Sequence, residues 1–120
     1  MRYLAILVLL ASCIEYGDFE PAPNDPLTPA QRAWLEQALP VFQAQCIACH
    51  GNSTVDTMNF LAGDTPWEIR ENLLASGVID IDSPTGSRLL TKGVHTGPLM
   101  SAADVAAILA WLDAEHAEAP

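Results

Sequence analysis

Cys46-Ile47-Ala48-Cys49-His50 constrains this chain more than any other stretch. Two cysteines three positions apart share one face of a helix. A histidine directly after the second is the spacing of a c-type haem attachment site. The thiols then reach the two vinyl groups on one edge of a porphyrin, and His50 offers an imidazole nitrogen to the iron. Two other chemistries share the cysteine pair. A Cys-x-x-Cys pair is half of a zinc site, but tetrahedral closure needs two further ligands. Only His50, His95 and His116 remain to supply them, because Cys13 has another explanation. A thioredoxin-like thiol pair expects a preceding strand inside a βαβ unit, and the residues before Cys46 read as helix instead.

The five residues resemble the signature of the cytochrome c family. That resemblance implies an all-α fold of about four to five short helices wrapped around one covalent haem c. It also implies single-electron transfer as the activity, with Cys46 and Cys49 linked to the haem and His50 as proximal ligand. The resemblance extends over roughly residues 40–117. Near its end, Ala110-Trp111-Leu112 resembles the aromatic position with which family members pack the last helix against the first. A haem with an open distal site, binding a diatomic gas or peroxide, is the alternative, although no acid and base are poised for peroxide cleavage.

The cysteine that precedes this motif has its own context. Arg2 is followed by the apolar run Leu4 to Leu10, long enough for the hydrophobic region of a signal peptide and too short to span a bilayer. The run ends in Leu10-Ala11-Ser12-Cys13, which resembles the lipobox of bacterial lipoproteins. Residues 1–12 would then be removed and Cys13 would become the acylated N-terminus; an ordinary secretory signal is the other reading. Both export the chain, and lipidation places it on the periplasmic or cell-surface side of a bacterial membrane. Residues 13–27 carry Glu15, Asp18, Glu20 and Asp25 among Pro21, Pro23 and Pro26. Such composition stays extended, and from Ile14 to Leu27 it reaches roughly 40 Å, which makes it a tether.

The formal charge is −10, from five basic and fifteen acidic residues, and becomes one unit more negative when Arg2 leaves with the leader. Nucleic-acid binding, which depends on neutralising phosphates with Lys and Arg, is excluded. The field suits a redox partner with a basic docking face, and it equally suits solubility outside the cytoplasm. Residues 28–120 form one small domain, marginal on burial alone. An enclosed haem would add apolar surface and a cross-link to it.

Within that domain Thr28-Pro29-Ala30-Gln31 is a capping box with proline at the first helical position. Trp34, Leu35, Ala38 and Leu39 then recur at helical spacing. Pro40 is expected to break or kink this helix, and a second stretch from Val41 delivers Cys46–His50 before Gly51 ends it. Thr65-Pro66-Trp67-Glu68 opens another helix that Gly77 stops. Ser83-Pro84 begins a turn running to Leu90. Ser101 caps a closing helix whose buried stripe is Val105, Ile108, Leu109 and Leu112, flanked by Trp111. His116, at its end, reads as an exposed cation beneath the helix dipole. Trp67, Arg88 and Lys92 are candidate contacts for haem propionates, with packing or solvation as their plain alternatives.

The distal ligand is sought in Gly93-Val94-His95-Thr96-Gly97-Pro98-Leu99-Met100. Small members of the family draw a methionine from the loop before the last helix. Here Met100 directly precedes the cap Ser101 and can pair with Val105 as a hydrophobic staple, which gives it a structural reason to exist. His95 is framed by Gly93 and Gly97-Pro98, which permit a tight approach to a planar ring. His95 is therefore the first candidate and Met100 the second, with Met58 or an open site behind them. A methionine raises the potential relative to a second imidazole.

Overall fold

A computed structural model describes residues 21–52, 58–91 and 99–120, and among them all regular structure is helical, with no strand. The leader, Cys13, Lys92 and His95 lie outside the described residues. The tether's described portion is an exposed segment with one turn, in which Asp25 N–H donates to Ala22 O at 2.9 Å.

Helix α1 (Pro29–Ala33) starts where its capping box places it: Gln31 N–H donates to Thr28 Oγ1, and Gln31 Oε1 accepts from Thr28 N–H. Of the break or kink expected at Pro40, the structure shows no break but an interruption of the regular α-helix just before it. One wide π turn, Trp34–Ala38, carries α1 directly into α2 (Leu39–Gln45), with Leu39 N–H donating to Trp34 O five residues back. The extra residue sets Pro40 in the first turn of α2, where a missing N–H and a fixed φ do least harm.

Helix α4 (Pro66–Ala75) has the same kind of start at Thr65 and Glu68, and stops before Gly77 at φ 76°. A 3-10 turn (Pro84–Gly86) and the short α5 (Arg88–Thr91) follow. The buried Ser87 hydroxyl pins this region by accepting from Asp80 N–H at 2.9 Å. Helix α6 (Ala102–Glu118) then runs back across α1, the π turn and α2. Its last turn closes on the beginning of the domain, where Glu118 Oε1 accepts from Ala30 N–H at 2.8 Å. That carboxylate satisfies one of the N–H groups a helix start leaves over, and it favours the positive end of the α1 dipole.

The core is built where these helices cross. Trp34, Phe42 and Trp111 are fully buried, with ring centroids 5.8 Å apart for Trp34–Phe42, 4.9 Å for Trp34–Trp111 and 6.1 Å for Phe42–Trp111. Leu61, Leu73, Ile108 and Leu112 close around them. Each aromatic side chain of this kind removes about 150–250 Å² from water. Trp111 thus sits at the centre of the α6 stripe, whereas Val105 and Leu109, expected in that stripe, are only partly buried. Full burial of Trp111 is possible because its indole N–H has a partner: Glu115 Oε1 accepts it at 2.6 Å. Glu115 in turn takes Arg70 of α4, with Nε donating to Oε1 at 2.7 Å and Nη2 to Oε2 at 2.6 Å. The Trp34 indole donates to Pro66 O at 2.9 Å, joining the π turn to the first residue of α4.

Gly63 fixes the approach of the preceding loop to α4. Its φ is 148°, and a Cβ there would lie 2.8 Å from Ile69 N and 2.9 Å from Glu68 Cβ. Gly63→Ala is therefore expected to destabilise the domain by about 1–3 kcal/mol, as overpacking against backbone does. The midpoint of urea unfolding, followed by tryptophan fluorescence, measures it, and an unchanged midpoint would contradict this close packing.

Candidate functional site

The Cys46–His50 stretch forms no continuous extension of α2. Helix α2 ends at Gln45, Cys46 takes φ −123° and ψ −35°, and a separate four-residue turn of helix, α3 (Ile47–His50), follows. The two pieces remain joined through Cys46, whose N–H donates to Phe42 O at 2.9 Å. Its carbonyl accepts from Cys49 N–H at 3.2 Å and His50 N–H at 3.0 Å. Cys46 is half-buried and Cys49 exposed, and both are thiols. Gly51 ends the turn because nothing larger fits: a Cβ would stand 2.6 Å from Ile47 O and 2.9 Å from Ile47 Cγ1.

His50 is held from the far side by the loop that returns at residue 58. Its Nδ1 lies 2.9 Å from Met58 O, its ring stacks on Phe60 with centroids 4.4 Å apart, and its own carbonyl accepts from Leu61 N–H at 2.9 Å. A carbonyl only accepts, so Nδ1 carries the ring proton and the in-plane lone pair belongs to Nε2. Asn52 fastens the same loop to the start of α4. Its amide accepts from Gly63 N–H at 3.1 Å and donates to Gly63 O at 3.3 Å and Asp64 Oδ1 at 3.2 Å. The imidazole is thus fixed in tautomer and in plane by backbone contacts reaching to α4.

Burial, first, and then the charges of Asp104 and Cys49 push the Cys46 thiol above the ordinary cysteine value. A thiol so shifted stays protonated at neutral pH, the opposite of the lowered value that marks a nucleophilic thiol in a redox pair. No three or more His, Cys, Asp or Glu side chains among the described residues are grouped as a metal site requires. The stretch presents two cysteine side chains on one turn, the first of them a protonated thiol, beside an imidazole whose Nδ1 meets a backbone carbonyl. Met58, whose carbonyl meets His50, leaves its large apolar side chain 55% exposed. This donor set, with an exposed apolar side chain on the adjoining loop, fits a covalently linked, iron-bearing planar group.

Of the other candidates, Trp67 is half-buried and packs against the core, while Arg88 is exposed at the start of α5. Met100 is partly buried and packs against the core as well. His116 is exposed, with Nδ1 4.0 Å from Asp82 Oδ1. Three contributors went unseen in the sequence: the Met58 carbonyl, the Phe60 ring and the Gln45–Asp104 contact. The first two have no sequence signal, since a loop's return is a tertiary event. Asp104 did have one, but its role as the third residue of a capping box already accounted for it.

Comparison with protein families, with curated proteins and with solved structures finds no match to this chain.

Proposed function

We propose that this chain is a single-electron carrier with one haem c, linked through Cys46 and Cys49 and bound at its iron by His50, working outside the cytoplasm. The observation that carries the reading is the 2.9 Å contact between His50 Nδ1 and Met58 O. With Nδ1 donating to Met58 O, Nε2 is the nitrogen presented to a metal, and such a backbone partner orients a ligating histidine and raises its basicity. The bound haem supplies the one-electron couple. The chain's own residues would orient the imidazole through Met58 O and provide two sulfur attachment points on one turn.

The distal ligand in this reading is His95. Met100 supports it by being packed against the core, where its side chain has another task. Met58 supports it too, because its backbone is tied to His50 itself through the 2.9 Å contact of its carbonyl with Nδ1. His95→Ala is expected to give a high-spin ferric spectrum, whereas Met100→Leu, nearly volume-conserving, keeps the low-spin spectrum. Loss of the low-spin form in Met100→Leu alone would assign the ligand to Met100. Rapid carbon monoxide binding by the reduced wild-type protein would contradict a six-coordinate carrier.

The export and anchoring reading joins this one. Cys13 carries the lipid, residues 13–27 form the tether, and the strongly acidic domain meets a redox partner through a basic face on that partner. Trp67, Arg88 and Lys92 remain the candidates to receive the propionates.

A further inference from the structure

The two ends of the haem-linking stretch are held differently. His50 is held by backbone, but the residue preceding Cys46 is held by a charge. Gln45 Nε2 donates to Asp104 Oδ2 at 2.7 Å, across a separation of 59 residues. The same oxygen accepts from Ser101 N–H at 2.8 Å and Ser101 Oγ–H at 2.7 Å, while Asp104 N–H donates back to Ser101 Oγ at 3.1 Å. A capping box requires only the contacts with Ser101; the contact with Gln45 is extra. It also comes with a penalty, because Gln45 Oε1 is buried without a hydrogen-bond partner among the described residues. A buried amide with an unsatisfied acceptor is a poor choice for stability alone, and Gln45 is adjacent to the first haem-linking sulfur.

We propose that Asp104 is a positioning and tuning residue of the haem site. Through Gln45 it docks the N-terminus of α6 onto the chain entering Cys46, and its carboxylate keeps a negative charge beside that attachment point, favouring the oxidised cofactor. The inference rests on the electron-carrier reading and deepens it. Three donors from Ser101 and Gln45 hold the Asp104 carboxyl below the usual carboxylate range, so the charge is permanent near neutral pH. Its influence reaches the cysteine, as the Cys46 thiol shows. No proton or bond changes at Asp104 when one electron enters or leaves; the residue acts by its field alone.

A capping box accepts Glu or Gln at its third helical position, which permits a clean comparison. Asp104→Glu and Asp104→Gln keep the box and differ from each other only in charge. In holoprotein matured with its haem, spectroelectrochemical titration is expected to give Asp104→Gln a higher midpoint potential than Asp104→Glu, with Asp104→Glu close to wild type. At the wild-type midpoint, the reduced-to-oxidised ratio of the glutamine variant is expected to rise at least about threefold. Asp113→Asn, which removes the same charge from an exposed site farther along α6, is expected to leave the midpoint in place. Asp104→Asn serves the same comparison if the longer glutamine is not accommodated. Equal midpoints for the charged and neutral variants, or an equal shift in Asp113→Asn, would overturn the proposal while leaving the carrier reading intact. Wild-type protein without the pigment would overturn both.

Discussion

Glu115→Ala is expected to lower the free energy of unfolding by about 3–5 kcal/mol, the range for removing one partner of a buried ion pair. Three effects add: two groups lose that carboxylate as a partner, and a space opens. Arg70, whose side chain is 11% exposed, gives it two hydrogen bonds in the side-on geometry that suits a guanidinium, and would be left with only the exposed Glu71 at 3.0 Å. The Trp111 indole N–H, at the centre of the core, would have no acceptor. The third effect is the space left between α4 and α6. In a small domain with a total stability of about 5–15 kcal/mol, this is a large share. Glu115→Gln keeps an acceptor for Trp111 and is expected to cost less. Arg70→Leu combined with Glu115→Ala is expected to cost less than the two single changes added together, because the stranded charge is then gone. Guanidinium unfolding of the wild type, the three single variants and the double variant measures these differences. A loss below about 1 kcal/mol for Glu115→Ala would place the pair among solvent-screened surface contacts.

The second large effect concerns the cysteines. Cys46→Ala with Cys49→Ala is expected to abolish covalent retention of the pigment and to leave a poorly folded chain. In the carrier reading an enclosed haem would add apolar surface to an interior that, among the described residues, holds three aromatic rings and eight Leu, Ile and Val side chains. Met58 and Leu99 are large apolar side chains left 55% and 71% exposed without it. After denaturation and acid extraction, the wild-type protein is expected to keep its pigment and the double variant to lose it. The variant is also expected to unfold at lower denaturant. Equal stability of the two would contradict the role assigned to the haem in the fold.

Local signals in the chain were legible wherever the chemistry is local. Thr28, Thr65 and Ser101 each start a helix, since a hydroxyl and a polar side chain three residues later satisfy N–H groups regardless of the surrounding fold. Pro40 signalled an interruption but not its form, because its penalty can be met by a break, a kink or one wide turn, and the chain takes the wide turn. Glu115 and Arg70 were missed for a related reason. Glu115 lies one turn beyond Trp111 on the buried face of α6, and a charge at such a position implies a partner, but its partner comes from α4, 45 residues earlier. At the site, Cys46, Cys49 and His50 could be read from spacing, whereas the Met58 carbonyl that sets the His50 tautomer carries no residue preference at all.

The proposed function requires a porphyrin joined by two sulfur bonds to this polypeptide. Intact-mass measurement of protein matured alongside a haem-ligation system tests this most directly. The expected result is a mass one haem above that of the processed chain with whatever lipid Cys13 carries, and Cys46 and Cys49 both resistant to alkylation. A mass equal to the chain alone, with both thiols alkylated and no visible absorption band, would contradict it.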